Sequence, residues 1–352
     1  MQCGYVSAAA RVATWCELEP GGDVVPDRCP ALRLRPFDLV LLERCGTVVW
    51  VSIGRFVGVD LAWGPSRPGV VANETGVAAL DAAGRVLDAG WARGLDETVG
   101  WVLAATAGDT ALAFIDAPLI VDNTSGQRLC ETQVGQRYGR WKVSANTTNI
   151  HSLRLAGVEL RQRLEIEGWR YSDGLDGPPV DGRTFSECYP YTTLVGAAEF
   201  GYEAERPRYK RSPRKMPAAQ WRVLRAASCD ELIQRLGRLK NADPPLDLDS
   251  HPVTHQLVAE PSPLDDVAYK HREDLIDALL CAWTAALWTR YELTRCQVLG
   301  PPSRPPDTPA ATIIAPARAE QRRRATARIA ACADVRSRLP SRWVGWAVGE
   351  QG

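Results

Sequence analysis

Five carboxylates stand in apolar surroundings where an acid is costly. Asp60 follows "FVGV", Asp116 lies between "ALAFI" and "APL", Glu187 sits inside "TFSECYP", and Asp274 and Asp277 fall in "REDLIDALLCAW". Burying an ionised carboxylate costs several kcal/mol unless it is paired or bound to a metal. Residues three apart share one helical face, and the apolar "ALLCAW" after Asp277 turns that face toward the core. Taken singly, each strand-end Asp also reads as a turn former or cap, and the helical pair as a solvated face. Converging, the acids would make an oxygen-only site. Only four histidines are present to offer alternative ligands. Such a set suits Mg²⁺ or Mn²⁺ better than zinc.

Positioning these acids needs a sheet and a helix. "VVWVSIGRFVGVDLAW" is β-branched and aromatic, as a first strand should be. "VAAL" and "VLDAGW", separated by "DAAGR", read as a hairpin. "LDETVGWVLAATAG" reads as a helix that Asp96 can cap and Gly108 can end. "TALAFIDAPLIV" is a nearly unbroken apolar run, the pattern of a strand covered on both faces. A long middle follows, with two polar-faced helices, a Gly/Pro/Asp loop, the short strand "TFSECYPY", the basic loop "PRYKRSPRKMP" and one or two further helices. The clearest helix lies in "SPLDDVAYKHREDLIDALLCAWTAALWTRY", with Ser262, Pro263 and Asp265 as candidate N-cap, N1 and N3. "CQVL" and "ATIIAP" read as late strands. The expected organisation is an N-terminal extension over 1–50, a main domain over 51–316 with a helical insertion about 123–240, and a basic helical tail over 317–352.

Three antiparallel strands, a helix, a parallel fourth strand, a fifth strand and a closing helix make an RNase H-like α/β arrangement. The expected architecture is a mixed five-stranded sheet flanked by helices. Its first and fourth strands are neighbours, which sets Asp60 beside Asp116 at the carboxyl ends where α/β sheets bind ligands. The late helix then adds Asp274 and Asp277.

"GVDLAWG", "FIDAPLIVDNTSGQR", "SECYP" and "HREDLIDALLCAWTA" together resemble the family called domain of unknown function 429, over roughly Phe56 to Pro316. Its members are described as predicted nucleases with an RNase H fold. The Asp-x-x-Asp on the last helix also resembles the Holliday-junction resolvase branch of that superfamily. That branch usually carries Glu on the fourth strand, where this chain has Asp116.

The activity implied is metal-dependent phosphodiester hydrolysis. Two divalent ions ~4 Å apart would clamp the scissile phosphate. Asp60 would bridge them, Asp116 and Asp277 would each hold one, and Asp274 or Glu187 would complete the set. Nucleic acid, DNA or RNA, is the expected partner. Arg128, after the fourth strand, is a candidate phosphate contact. "ERPRYKRSPRKMP" supplies Arg206, Arg208, Lys210, Arg211, Arg214 and Lys215, with Tyr209 available for base stacking. His271 lies one turn before Asp274, where a helix-surface role outweighs proton transfer.

Composition narrows the field. Lys plus Arg and Asp plus Glu both number 42, so a strongly basic nucleic-acid binder is not implied and any basic patch is local. No apolar run reaches the roughly 18 residues that a membrane-spanning helix needs. The ten cysteines form no C-x-x-C pair, which argues against a zinc site or disulfide framework and for reduced thiols in a cytoplasmic protein. Two rival readings share the acids. An actin-like or sugar-kinase-type phosphotransferase needs Gly-rich phosphate loops, and "DLAWGPS" is poor in Gly. A non-catalytic RNase H-like binding domain would need no metal.

Overall fold

The computed structural model describes residues 53–62, 72–153, 155–210 and 216–322. The expected extension over 1–50, the tail beyond 322, and Arg211, Arg214 and Lys215 lie outside the described residues. β1 (Arg55–Asp60), β2 (Glu74–Asp81) and β3 (Val86–Arg93) form an antiparallel meander. α1 (Gly94–Ala105) then crosses over and returns the chain as β4 (Ala111–Ile115), parallel to β1. The middle builds α2 (Leu129–Tyr138), α3 (Ala156–Ile166), β5 (Arg170–Tyr171), β6 (Arg183–Glu187), α4 (Pro190–Gly196) and α5 (Ala218–Arg238). α6 (Pro252–Ala259), the long α7 (Asp266–Arg295), β7 (Cys296–Leu299) and β8 (Ile313–Pro316) complete the described chain. The main sheet runs β3-β2-β1-β4-β6-β5, and β7 and β8 pair in a separate antiparallel sheet.

The sheet is mixed and flanked by helices, with six strands rather than the five expected. The extra strand, β5, is two residues long, too short for alternation to be legible. Two local expectations shift as well. α1 starts at Gly94, with Arg93 at the N-cap, so Asp96 lies in the first turn and complements the helix dipole instead of capping it. Asp265 is itself the N-cap of α7, accepting from the Val267 and Ala268 N–H groups at 3.0 and 2.9 Å, which moves the start three residues past Pro263.

Strand parity divides the core. Phe56 on β1 and Leu112 and Phe114 on β4 face one layer, built largely from α7, α2, α4 and α5. Val57, Val59, Ala111, Ala113 and Ile115 face the other, with α1 and α3. α7 is buried from Leu275 to Trp288 and lies directly on β1 and β2. Two glycines permit that approach. A Cβ at Gly58 would fall 1.8 Å from the Ala278 carbonyl oxygen, and one at Gly76 would fall 2.2 Å from that of Asp274. Helix backbone therefore rests on strand backbone at the height of the acids. Among the described residues, no helix is long and apolar enough to cross a membrane.

Candidate metal centre

Asp60 is the last residue of β1, and Asp116 follows the last residue of β4. The Asp116 N–H donates to the Val59 carbonyl at 2.8 Å, keeping the two strand ends level. Both acids share the parity of Phe56, Gly58, Leu112 and Phe114, so both fall on the α7 face of the sheet. The glycine-seated α7 brings up Asp277, with no exposed surface, and Asp274 one turn earlier. One carboxylate oxygen from each of Asp60, Asp116 and Asp277 lies within 4.8 Å of the others. Oxygens around a shared Mg²⁺, each ~2.1 Å from the ion, span at most ~4.2 Å, so small side-chain rotations close the set. All-oxygen donors and no histidine fit a hard divalent cation.

The electrostatics are those of acids crowded without enough counter-charge. The Asp116 carboxyl is pushed up to about 8, first by burial and then by the charge of Asp60. Asp274 is also pushed up to about 8 by burial and Asp60, with Lys270 pulling the other way. Lys270 reaches Glu273 at 3.1 Å and also pairs with Asp274. Lys210 enters from the opposite side, where its ammonium abuts Asp277 Oδ2. Burial would lower the Lys210 pKa, but Asp60, Glu273 and Asp116 overcome this and raise it, so the side chain is held charged. The Tyr209 hydroxyl donates to Asp277 Oδ1 at 2.6 Å.

Glu187 does not join the cluster. It pairs in register with Ile115 and shares the parity of Phe185, so it faces the α1/α3 side of the sheet, opposite to Asp116. There the Arg128 guanidinium grips it with a fork of 2.8 and 2.6 Å bonds, and the Leu119 N–H donates at 3.0 Å. Arg128 also bonds Glu131 at 2.9 Å and the Ile120 carbonyl at 3.0 Å. The expected phosphate contact is therefore a buried structural cation, 3 % exposed and already committed. Cys188, the residue after β6, faces α7, and its Sγ lies 3.2 Å from that of Cys281.

The chain matches the family model described as "Protein of unknown function (DUF429)" over residues 58–304. It belongs to that family. No curated protein and no solved structure matches it. The DUF429 match begins at Gly58, two residues before Asp60, and takes in every acid considered above.

Other expected site residues disperse in this DUF429 chain. Tyr209 is fully buried and bonded at both ends of its residue, its carbonyl accepting from the Tyr269 hydroxyl at 2.6 Å, so it offers no face for a base. Arg206 stacks on the Tyr191 ring at 4.2 Å and donates to the Lys142 carbonyl at 3.0 Å. Arg208 pairs with Glu205. His271 stands outside the acid set, against Glu74 and Trp91. Lys270 and Glu273 were missed. Their signal was present, since Lys270 precedes Glu273 by three residues and Asp274 by four, the spacing of helical ion pairs.

Proposed function

We propose that this protein is a divalent-cation-dependent phosphodiesterase acting on nucleic acid, with an RNase H-like sheet as its scaffold. The observation that carries this reading is the convergence of Asp60, Asp116 and Asp277 from two adjacent strand ends and one helix. In that cluster Asp116 and Asp277 are buried and Asp60 is half-buried, and it is short of positive charge. The strand order, with β1 between β2 and β4 and a long helix across the sheet, supports the RNase H-like scaffold. When bound, a divalent ion would supply an activated water and stabilise the charge on the leaving oxygen. Asp60 would stand at the centre of the set, since its charge acts on both Asp116 and Asp274. Asp116 and Asp277 hold the flanks. Asp274, one turn before Asp277 and tied to Lys270, completes the set. Glu187 and Arg128 hold the β4–α2 connection beneath the site and take no part in ligation.

A cleavage screen tests the reading. Labelled single-stranded, duplex and branched DNA and RNA are incubated with Mg²⁺ or Mn²⁺, with EDTA controls and with Asp60→Asn in parallel. Cleavage of at least one substrate is expected with metal, and none with EDTA or the variant. Absence of cleavage together with absence of any metal-induced rise in melting temperature would overturn it.

A further inference from the structure

We infer that Lys210 fills one of the cation positions of this site, so that the protein binds a single divalent ion where an RNase H-like carboxylate cluster would otherwise take two. The inference rests on the metal-dependent reading above and specifies its stoichiometry. Its basis is where the ammonium sits and what it uses up. Asp277 is one of the three mutually close acids, and both of its oxygens are occupied by the chain itself. Tyr209 donates to Oδ1, and Lys210 abuts Oδ2. The charges of Asp60, Glu273 and Asp116 act on the same ammonium and hold it charged. It is held there from behind, 5.5 Å from the Tyr191 ring and 5.6 Å from that of Tyr209.

Charge counting agrees. Asp60, Asp116, Glu273, Asp274 and Asp277, fully ionised, carry five negative charges, and Lys210 and Lys270 carry two positive ones. One divalent ion reduces the deficit of three to one, and a second would overshoot it. A second ion would have to evict the Lys210 ammonium from Asp277 and leave it beside a cluster already neutralised. A lysine ammonium is also a compact point charge suited to a single oxygen, which is the geometry seen at Oδ2.

The test is Mn²⁺ titration by calorimetry, with bound Mn²⁺ counted independently by electron paramagnetic resonance, on the whole chain. The wild type should bind one Mn²⁺. Lys210→Met keeps the length of the aliphatic stem and removes the charge. It should bind two Mn²⁺, or one at least tenfold more tightly, and show a larger Mn²⁺-induced rise in melting temperature than the wild type. Two ions on the wild type would overturn the inference while leaving the metal-dependent reading intact. So would one ion on Lys210→Met at unchanged or weaker affinity. No Mn²⁺ on either folded protein would remove the metal-dependent reading itself, and the inference with it. If Lys210→Met proves unstable without metal, Lys210→Arg supplies the second reading. Retaining the charge, it should still bind one ion, and two would count against the inference.

Discussion

Two groups of acids at neighbouring strand ends are satisfied to different degrees, although burial pushes up Glu187 as it does Asp116 and Asp274. Glu187 and Glu131 share the guanidinium of Arg128, and each also accepts a backbone N–H, from Leu119 and from Arg128 itself. Their oxygens are spoken for. On the other face of the sheet, Asp60, Asp116, Asp274 and Asp277 crowd together with two lysines, and the carboxyls of Asp116 and Asp274 are pushed up to about 8. Burial alone does not mark a functional acid. Burial with a geometry-matched cation marks a structural one, and burial among like charges marks a place where something positive is missing.

The largest effect should come from breaking the satisfied group. Arg128→Ala leaves Glu187 and Glu131 buried without a counter-charge, which costs about 3–5 kcal/mol. Urea unfolding should show that loss, or the variant should fail to accumulate as folded protein. A melting temperature within a degree or two of wild type would mean that Arg128 is not structural and would return it to the candidate phosphate contacts.

The next effect concerns how the unsatisfied group is assembled. Gly58→Ala drives a methyl group into the Ala278 carbonyl, and α7 must lift off β1. Overpacking of this kind costs about 1–3 kcal/mol, and more when backbone must move. Because α7 carries Asp274 and Asp277, Mn²⁺ binding should weaken with the stability. An alanine variant that keeps full Mn²⁺ affinity would show that the acids do not depend on this close contact.

Much of this arrangement was legible in the sequence. The meander, the crossover, the apolar fourth strand and the long final helix each carry periodicity over enough residues to read, and they put Asp60, Asp116 and Asp277 together. Glu187 was misplaced for a definite reason. Short strands specify their face by single-residue parity, and "TFSECYP" gives no polar alternation to fix it. Only pairing with β4 shows that Glu187 faces away and Cys188 faces α7. Arg128 was misread because Glu187, which its fork grips, lies 59 positions along the chain, although Glu131 stands at the helical three-residue spacing. No local spacing announces such a pair, whereas Lys270 and Asp274 announce theirs. The two-residue β5 and the occupation of Asp277 by Tyr209 and Lys210 are likewise products of tertiary contact alone.

Asp60→Asn tests the unsatisfied group directly. It keeps the shape of the side chain and removes one like charge. The metal-free protein should gain about 1 kcal/mol, or roughly 2–4 °C in melting temperature. Metal-dependent cleavage and the metal-induced rise in melting temperature should both vanish. A destabilised variant would make Asp60 a structural cap, as a lone strand-end Asp often is.

The last effect is a pH dependence, and its sign is set by the acids that burial and crowding push up. In the folded, metal-free protein Asp116 and Asp274 hold protons up to about pH 8, whereas in the unfolded chain they release them near 4. Between those values the folded state binds more protons than the unfolded one. Stability must then fall as pH rises from about 4 toward 8, and level off above that. This is the reverse of an acid stabilised by a salt bridge, which gains stability over its titration range as pH rises. Melting in EDTA at pH 5.5 and 8.5 should therefore give a lower midpoint at the higher pH. The difference should shrink in Asp60→Asn, because Asp60 is the leading charge acting on both titrating groups. Mn²⁺ should reverse it, since the ion competes with those protons and binds more tightly as they leave. A metal-free wild type that is equally stable or more stable at pH 8.5 would mean that the lysines already neutralise the cluster, and that nothing positive is missing from it.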